Sequence, residues 1–408
     1  MPPPPVDRVA ALDLIRGVAV LGILAVNIAG FAGPPASILT PHIPVPGDFV
    51  DEAGFAAIFV VFEGKMRALF SVLFGAGMVL FIERAEAADR NGDLLQLRRL
   101  GWLLVFGLVH YFLFWWGDIL FLYAFAGIVA LFMRDMDPRA LLIAALVIFA
   151  GWHFGGAAST FAGVNIEERV RLDKASQGEI ADQAAVTESF ARQASEELAL
   201  MKDGFAHQIV RKLHETPFEP VETALSSIGE TLPLIMVGMA LYRLGFFAGG
   251  WPRKRYLLAL GGGLAGFTIT LAMLQWLWAR HFPPRAMSAG LLYWAALPHL
   301  LIALAYTAIL IRHASRLMRT APGRWLAEAG RMAFSNYIGT TLLMTAIFHG
   351  WGLGLAGSFG HAQLGAFVLL GWAAMLFSSH WWLARFRQGP LEWVWRSLVE
   401  KRILPLKH

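Results

Sequence analysis

Arg16 and Asn27 lie eleven positions apart in one apolar run, Leu12–Ala29, and Arg99 and His110 repeat that spacing in another. Eleven residues are close to three helical turns, so each pair shares a face with its members roughly 16 Å apart along the axis. The chemistry these side chains offer is group transfer from a charged donor. A guanidinium pairs bidentately with phosphate or carboxylate, so Arg16 and Arg99 can hold an anion. A neutral imidazole can deprotonate an acceptor hydroxyl or amine, the role open to His110, and the Asn27 amide can donate to a developing oxyanion. Each has a structural alternative. Arg16 can pair with Asp13 one turn earlier or snorkel to the membrane surface, and Asn27 and His110 can hydrogen-bond to neighbouring helices, a contact worth roughly 1 kcal/mol.

A wider set of residues could bind donor or substrate. Arg331, Asn336 and Tyr337 begin a later apolar segment, with Thr340 one turn beyond Asn336 on the same face. Lys65 and Arg67, beside Glu63, fall where the second segment begins, placed either to hold an anionic headgroup or sugar or to pair among themselves in water. Asp118 follows Gly117 between two closely spaced segments, where an N-cap is the simplest role and a contact to Lys65 or His110 the chemical one. Glu230, shortly before Pro233, can pair with one of these bases or reach water, and His299 is a second buried histidine. Ser71, Gly75 and Gly77 are small residues suited to close helix packing.

The elements that position these groups must be membrane helices. Of 408 residues 57% are hydrophobic and only 15% charged, with mean hydropathy +0.55, whereas soluble domains carry about 25% charge. Ten apolar runs emerge: Leu12–Ala29, Ala68–Phe81, Leu100–Trp116, Ile119–Met133, Leu141–Phe154, Leu225–Leu241, Tyr256–Trp278, Ala289–Ile311, Ala333–Trp351 and Leu364–Trp382. About 20 apolar residues cross a bilayer, so the expected fold is all-α: a polytopic bundle of about ten transmembrane helices. The second run can extend back through Phe55–Phe62. A transmembrane β-barrel would show short alternating segments instead.

Basic residues cluster on one side of a ten-span arrangement, from Arg8, Arg84, Arg98 and Arg134 through Arg253, Arg316, Arg324 and Arg396, with Arg280 and Arg285 as exceptions. Positive-inside placement then puts both termini in the cytoplasm of a multi-pass bacterial inner-membrane protein. The net charge of +5 reflects this topology and anionic lipid, making the lipid bilayer the first partner and excluding nucleic acid. The first run resembles a cleavable signal, but Asp13 and Arg16 sit inside it and the charge alternation needs it, so its retention is expected. With no cysteine, disulfides, thiolate catalysis and Cys-based metal sites are excluded. No metal site, Walker loop or nucleophile elbow is read.

The expected organisation is an N-terminal five-helix half (1–156), a non-cytoplasmic amphipathic helical loop (157–220), a C-terminal five-helix half (221–388) and a cytoplasmic interfacial helix and tail (389–408). Pro2–Pro5 reads as an extended tail. In the long loop, Phe190, Leu198, Met201, Phe205, Ile209 and Leu213 recur at mostly helical steps, marking a surface brace or a lid.

Several motifs in order carry a family resemblance. Leu12-Asp13-Leu14-Ile15-Arg16-Gly17 with Asn27, Gly64-Lys65-Met66-Arg67-Ala68-Leu69-Phe70-Ser71, His110 with Trp116-Gly117-Asp118, Gly330-Arg331-Met332-Ala333-Phe334-Ser335-Asn336-Tyr337 and Gly389-Pro390-Leu391-Glu392-Trp393 resemble the YeiB-like bacterial inner-membrane family, domain of unknown function 418. More distantly, Arg16-Gly17 with Val26-Asn27 is similar to the first helix of the transmembrane acyltransferase superfamily, in its heparan-glucosaminide N-acetyltransferase-like branch. That branch places a catalytic histidine after the first helix; here the loop offers His42, at a different spacing.

Three functions fit. The first is an acyltransferase-like enzyme, with Arg16, Asn27 and His110 catalytic, no tightly bound cofactor, and acyl-coenzyme A as co-substrate docked on Arg16, Arg99 and Arg331, acylating a lipid or glycan. The second is a transporter or flippase lined by the same residues, although no inverted repeat is evident. The third is a non-catalytic assembly protein. Nothing here fixes an oligomeric state.

Overall fold

The computed structural model describes residues 5–407, with side chains from residue 10. Pro2–Pro4 of the proline tail and the side chain of Arg8 lie outside the described residues, while Pro5 opens the first helix rather than ending a tail. In chain order the helices are α1 (Pro5–Ala32), α2 (Phe49–Val61), α3 (Lys65–Glu86), α4 (Gly92–Leu113), α5 (Leu120–Leu131), α6 (Pro138–Arg171), α7 (Gln177–Met201) and α8 (Phe205–Glu215). There follow α9 (Glu219–Arg243), α10 (Arg253–Trp278), α11 (Pro284–Ala289), α12 (Ala296–Leu317), α13 (Ala321–Arg331), α14 (Ala333–Phe348), α15 (His361–Leu383) and α16 (Pro390–Glu400). The described residues contain no β-strand, only one isolated bridge between Phe386 and Lys407. The fold is an all-α membrane bundle.

Each of the ten apolar runs falls on a helix. Among the described residues seven spans are long and apolar enough to cross a membrane: α1, α2 with α3, α6, α9, α10, α12 and α15. α5 and α14 are shorter, at 12 and 16 residues. α1 is the bundle's axis, mostly covered by its neighbours, whereas α6 and α10 leave most of their apolar surface outward, as Leu258 and Ile143 do, for lipid.

The elements start where the sequence supplies N-caps. Asn91 accepts from the Leu94 amide at the head of α4, Asp137 precedes Pro138 of α6, and Ser176 with Glu179 closes a capping box on α7. Three boundaries differ from expectation. The second run does not extend back as one helix, because Gly64, at φ +69°, turns the chain between α2 and α3. The eighth run opens as α11 and a π-helical stretch, Gly290–Trp294, before α12. α6 runs unbroken past residue 156 to Arg171, where Glu168 of its last turn meets Arg280.

The 157–220 loop braces the bundle end opposite the arginines. Gly350 donates to the Met201 carbonyl at 2.8 Å, Lys212 of α8 to the Tyr111 carbonyl of α4 at 2.7 Å, and Gln208 meets His349 at 3.1 Å. Burial pulls the Lys212 ammonium down to about 8, with Arg211 adding to the shift and Glu219 opposing it. A lysine depressed when docked binds more protons when released, so docking strengthens as pH rises from about 8 towards the free value. Hydrogen exchange in residues 177–215, corrected for intrinsic rates, is expected to slow on the order of tenfold between pH 7.5 and 9.5, and Lys212→Met is expected to flatten that slope.

Candidate functional site

The site begins at a helix crossing. Gly17 of α1 and Gly330 of α13 let two backbones touch: a Cβ at Gly330 would sit 1.8 Å from the Asp13 carbonyl oxygen, and one at Gly17 only 1.9 Å from that of Leu326. The residues beside these glycines are Arg16 and Arg331. The crossing therefore sets both arginines next to the point where α1 and α13 meet.

Both arginines line a cavity of about 400 Å³. Its walls come from α1, α3, α4, α5, the α13–α14 junction and α16. Arg84, Arg331 and Arg396 are exposed at its mouth, and Arg16 and Arg99 are half-buried further in. These five arginines face three carboxylates, Asp13, Glu392 and Glu400. Each acid is already engaged. Asp13 pairs with Arg16 at 3.1 Å, Glu400 with Arg90 at 2.7 Å, and Glu392 accepts from the Phe334 and Ser335 amides at 2.8 and 3.1 Å and from the Ser335 hydroxyl. Burial pushes the Glu392 carboxyl above the usual range against the pull of those donors.

Among the described residues four of the five arginines, Arg84, Arg99, Arg331 and Arg396, have no carboxylate within 4 Å, and Arg99 is the half-buried one of the four. Its guanidinium lies 5.1 Å from the Phe81 ring centre and 4.7 Å from that of Trp395, with Gln96 Oε1 at 3.5 Å. Trp395 is fixed in turn by donating to the Arg99 carbonyl at 3.0 Å.

Inward of the arginines the cavity becomes apolar. It follows α3 from Arg84 to Phe70, about 21 Å at the rise of an α-helix. Its deep wall includes Ile119, Leu120, Tyr123 and Tyr337. The Tyr123 and Ser71 hydroxyls meet at 2.9 Å, and the Tyr337 hydroxyl donates to the Gly117 carbonyl at 3.2 Å while accepting from the Ile119 amide at 3.3 Å.

Behind Tyr337 stands His110, 1% exposed, its ring centre 5.0 Å from that of the tyrosine. His110 Nδ1 is 2.8 Å from Asp118 Oδ1, and Nε2 is 3.0 Å from the Thr341 hydroxyl. The other Asp118 oxygen accepts from the Phe121 amide at 2.8 Å, so one side chain both caps α5 and holds the histidine. An ionised Asp118 only accepts, which puts a ring proton on Nδ1, while Nε2 faces the Thr341 hydroxyl, which also reaches the Tyr337 carbonyl at 3.1 Å. This acid–imidazole–hydroxyl order is the one by which a base is oriented for proton transfer.

The sequence-predicted residues thus divide. Arg16, Arg99, Arg331 and Tyr337 share the cavity, and His110 with Asp118 sits directly behind its wall. Asn27 is half-buried further along α1 and, among the described residues, has no side-chain hydrogen bond. Lys65 is fully buried and donates to the Phe59 carbonyl at 2.6 Å, so it does not face water as one alternative required. Arg67 pairs with Glu230 at 3.0 Å. Asn336 donates to the Ala329 carbonyl and the Ser379 hydroxyl at 3.0 and 2.9 Å, tying α14 to α13 and α15 away from the cavity, and Thr340 returns to the Asn336 carbonyl within α14. His42 pairs with Glu52 at 3.3 Å, and His299 fills the space beside Gly64. Arg84, Glu392, Trp395 and Arg396 line the cavity although sequence reasoning read the basic ones only as topology signals. The Gly389–Trp393 motif was the available clue, since it presents Glu392 to α14.

The family described as "Protein of unknown function (DUF418)" matches residues 241–402. "Uncharacterized protein YxaH" of Bacillus subtilis is 30% identical over 408 residues, covering 96% of this chain and 94% of its own. "Uncharacterized protein YeiB" of Escherichia coli is 28% identical, with 96% of each chain covered, and an "Uncharacterized 39.9 kDa protein in amylase 3'region" of Bacillus acidopullulyticus is 27% identical over 98% of this chain and 96% of its own. No solved structure matches.

Proposed function

Because the chain belongs to the YeiB-like DUF418 family, whose names carry no activity, we propose from the site itself that it is a membrane-embedded acyltransferase. The observation that carries this reading is a single cavity that starts among five arginines and ends at Tyr337, with His110 held by Asp118 immediately behind. A donor with an anionic head and a long slender arm fits that gradient, as acyl-coenzyme A does. Its phosphates would meet Arg84, Arg331 and Arg396, Arg16 and the unneutralised Arg99 would hold it further in, and its thioester would reach the deep end. The acceptor is a lipid or glycan hydroxyl. With the Tyr337 ring swung aside to open His110 to the cavity, the acceptor oxygen attacks the thioester carbonyl carbon, its proton passes to His110 Nε2 in place of the Thr341 contact, the carbon–sulfur bond breaks, and the leaving thiolate takes that proton. Asp118 keeps the ring in the tautomer the step needs. Positive-inside placement puts the mouth in the cytoplasm and makes the chain a multi-pass inner-membrane protein.

General-base catalysis contributes about 10²–10⁴-fold. His110→Gln is therefore expected to lower acylation of membrane lipid or glycan by at least about 100-fold while donor affinity stays unchanged, read by mass spectrometry of products and by titration with palmitoyl-coenzyme A in nanodiscs. Unchanged product in His110→Gln overturns the assignment.

One observation favours transport instead. A second cavity lies further along α1, with the packed middle of that helix between the two, as alternating access requires. Movement of a lipid between leaflets with no change in its mass would select that reading.

A further inference from the structure

The second cavity has a volume of about 230 Å³ and is bounded by α1, α2, α15 and Ile38. Phe55, Ile58, Phe59 and Val368 make its wall apolar, and its ionisable members are Glu63 and His361. Glu63 is 8% exposed, and among the described residues its carboxylate accepts no hydrogen bond and has no basic nitrogen within 4 Å. His361 places Nε2 3.0 Å from the Ser37 carbonyl, so Glu63 is the open acceptor. A buried carboxylate with no donor is costly, and an occupant that brings hydrogen-bond donors relieves it.

The neighbours decide the occupant's charge. Lys65, two residues on, is fully buried with its ammonium on a carbonyl, and Arg67 is paired with Glu230. The formal charges of Glu63, Lys65, Arg67 and Glu230 cancel, so an entering ammonium or phosphate would unbalance the turn. We propose that this cavity binds a neutral, hydroxyl-bearing amphiphile, its hydroxyls donating to Glu63 and its hydrocarbon chain lying between α1, α2 and α15. Naming that molecule the acyl acceptor rests on the acyltransferase reading; its binding does not.

The test uses an alkyne-tagged monoacylglycerol with a photoreactive chain, crosslinked to the full protein in nanodiscs and mapped by peptide mass spectrometry. Label is expected within 54–63 and 361–368. Gly365 lines the void and a Cβ there meets nothing within 4 Å, so Gly365→Leu fills the space without a clash and is expected to cut labelling about tenfold at an unchanged melting temperature. Glu63→Leu removes the acceptor and is expected to do the same, about tenfold for hydrogen bonds to a charged group, while Glu63→Gln keeps most of the label. Undiminished labelling in Gly365→Leu, or in Glu63→Leu, overturns the site. Preferential capture of an amine or a phosphate monoester of equal chain length overturns the neutral class. Loss of acyl transfer alone leaves these readouts untouched and bears only on the enzyme reading.

Discussion

Gly77→Leu is expected to weaken binding of an anionic amphiphile severely and leave the protein folded. Gly77 lies on α3 inside the arginine-mouthed cavity, and a Cβ there meets only the Arg16 guanidinium, at 3.2 Å. That neighbour is the far end of a flexible side chain, so it yields, and the leucine then occupies the passage between mouth and deep wall. Replacing glycine in a helix interior adds about 1 kcal/mol of helix propensity, so the melting temperature should hold or rise. Affinity for palmitoyl-coenzyme A in nanodiscs should fall by about 100-fold, roughly what blocking one well-packed ligand segment costs. Normal affinity in a folded Gly77→Leu would mean that ligand does not use this cavity.

The neighbouring glycine supplies the contrast. Gly75 sits against α9, where a Cβ would lie 2.0 Å from the Ile235 carbonyl oxygen, and Gly238 of α9 returns the approach at 2.0 Å from that of Val72. Two positions on one helix thus differ, with helix packing at Gly75 and open cavity at Gly77. In sequence both read as small residues suited to helix contact. Spacing gave the face of neither relative to a neighbour, because that depends on which helix lies opposite.

The same limit explains what was and was not legible elsewhere. Apolar length marked the helical runs, since crossing lipid demands internally satisfied backbone over a fixed thickness, whereas the eleven-residue spacing that paired Arg16 with Asn27 did not bring Asn27 to the cavity. His110 shares its stripe with Arg99 yet faces Asp118 and Thr341, because Tyr337 of α14 stands between it and the cavity. No spacing within α4 encodes that. Arg84 and Arg396 satisfied charge counting whether they met headgroups or a pocket, so counting could not separate the two. α13 was hardest to read, and α16, expected as an interfacial helix, was not expected to wall a cavity. They are amphipathic and only 11 residues each, below the length of a span, yet they complete the cavity's walls by placing Arg331, Glu392, Trp395 and Arg396 beside α1 and α4.

Gly330→Val should have the largest effect on stability. The α1–α13 crossing is closed by backbone against backbone, with the Gly330 Cβ position 1.8 Å from the Asp13 oxygen and 2.7 Å from the Gly17 nitrogen. Neither atom is the end of a side chain, so the helices must separate. Overpacking a tight contact costs about 3 kcal/mol at the upper end of its usual range, and here the separation also pulls Arg16 from Arg331 and loosens the Asp13 pair. Melting in detergent should drop by several degrees, roughly as a 3 kcal/mol loss implies, and affinity for palmitoyl-coenzyme A should be lost together with it. Gly339→Ala on α14 is the matched control: a Cβ there meets nothing within 4 Å, so stability should be equal or higher. The pairing matters because a lipid-facing glycine and a crossing glycine differ in sequence by nothing but their partners. If Gly330→Val melts and binds as the unmodified protein does, the two arginines are not positioned by this crossing, and the cavity's geometry must be set by α16 and the Glu392 cap on α14 instead.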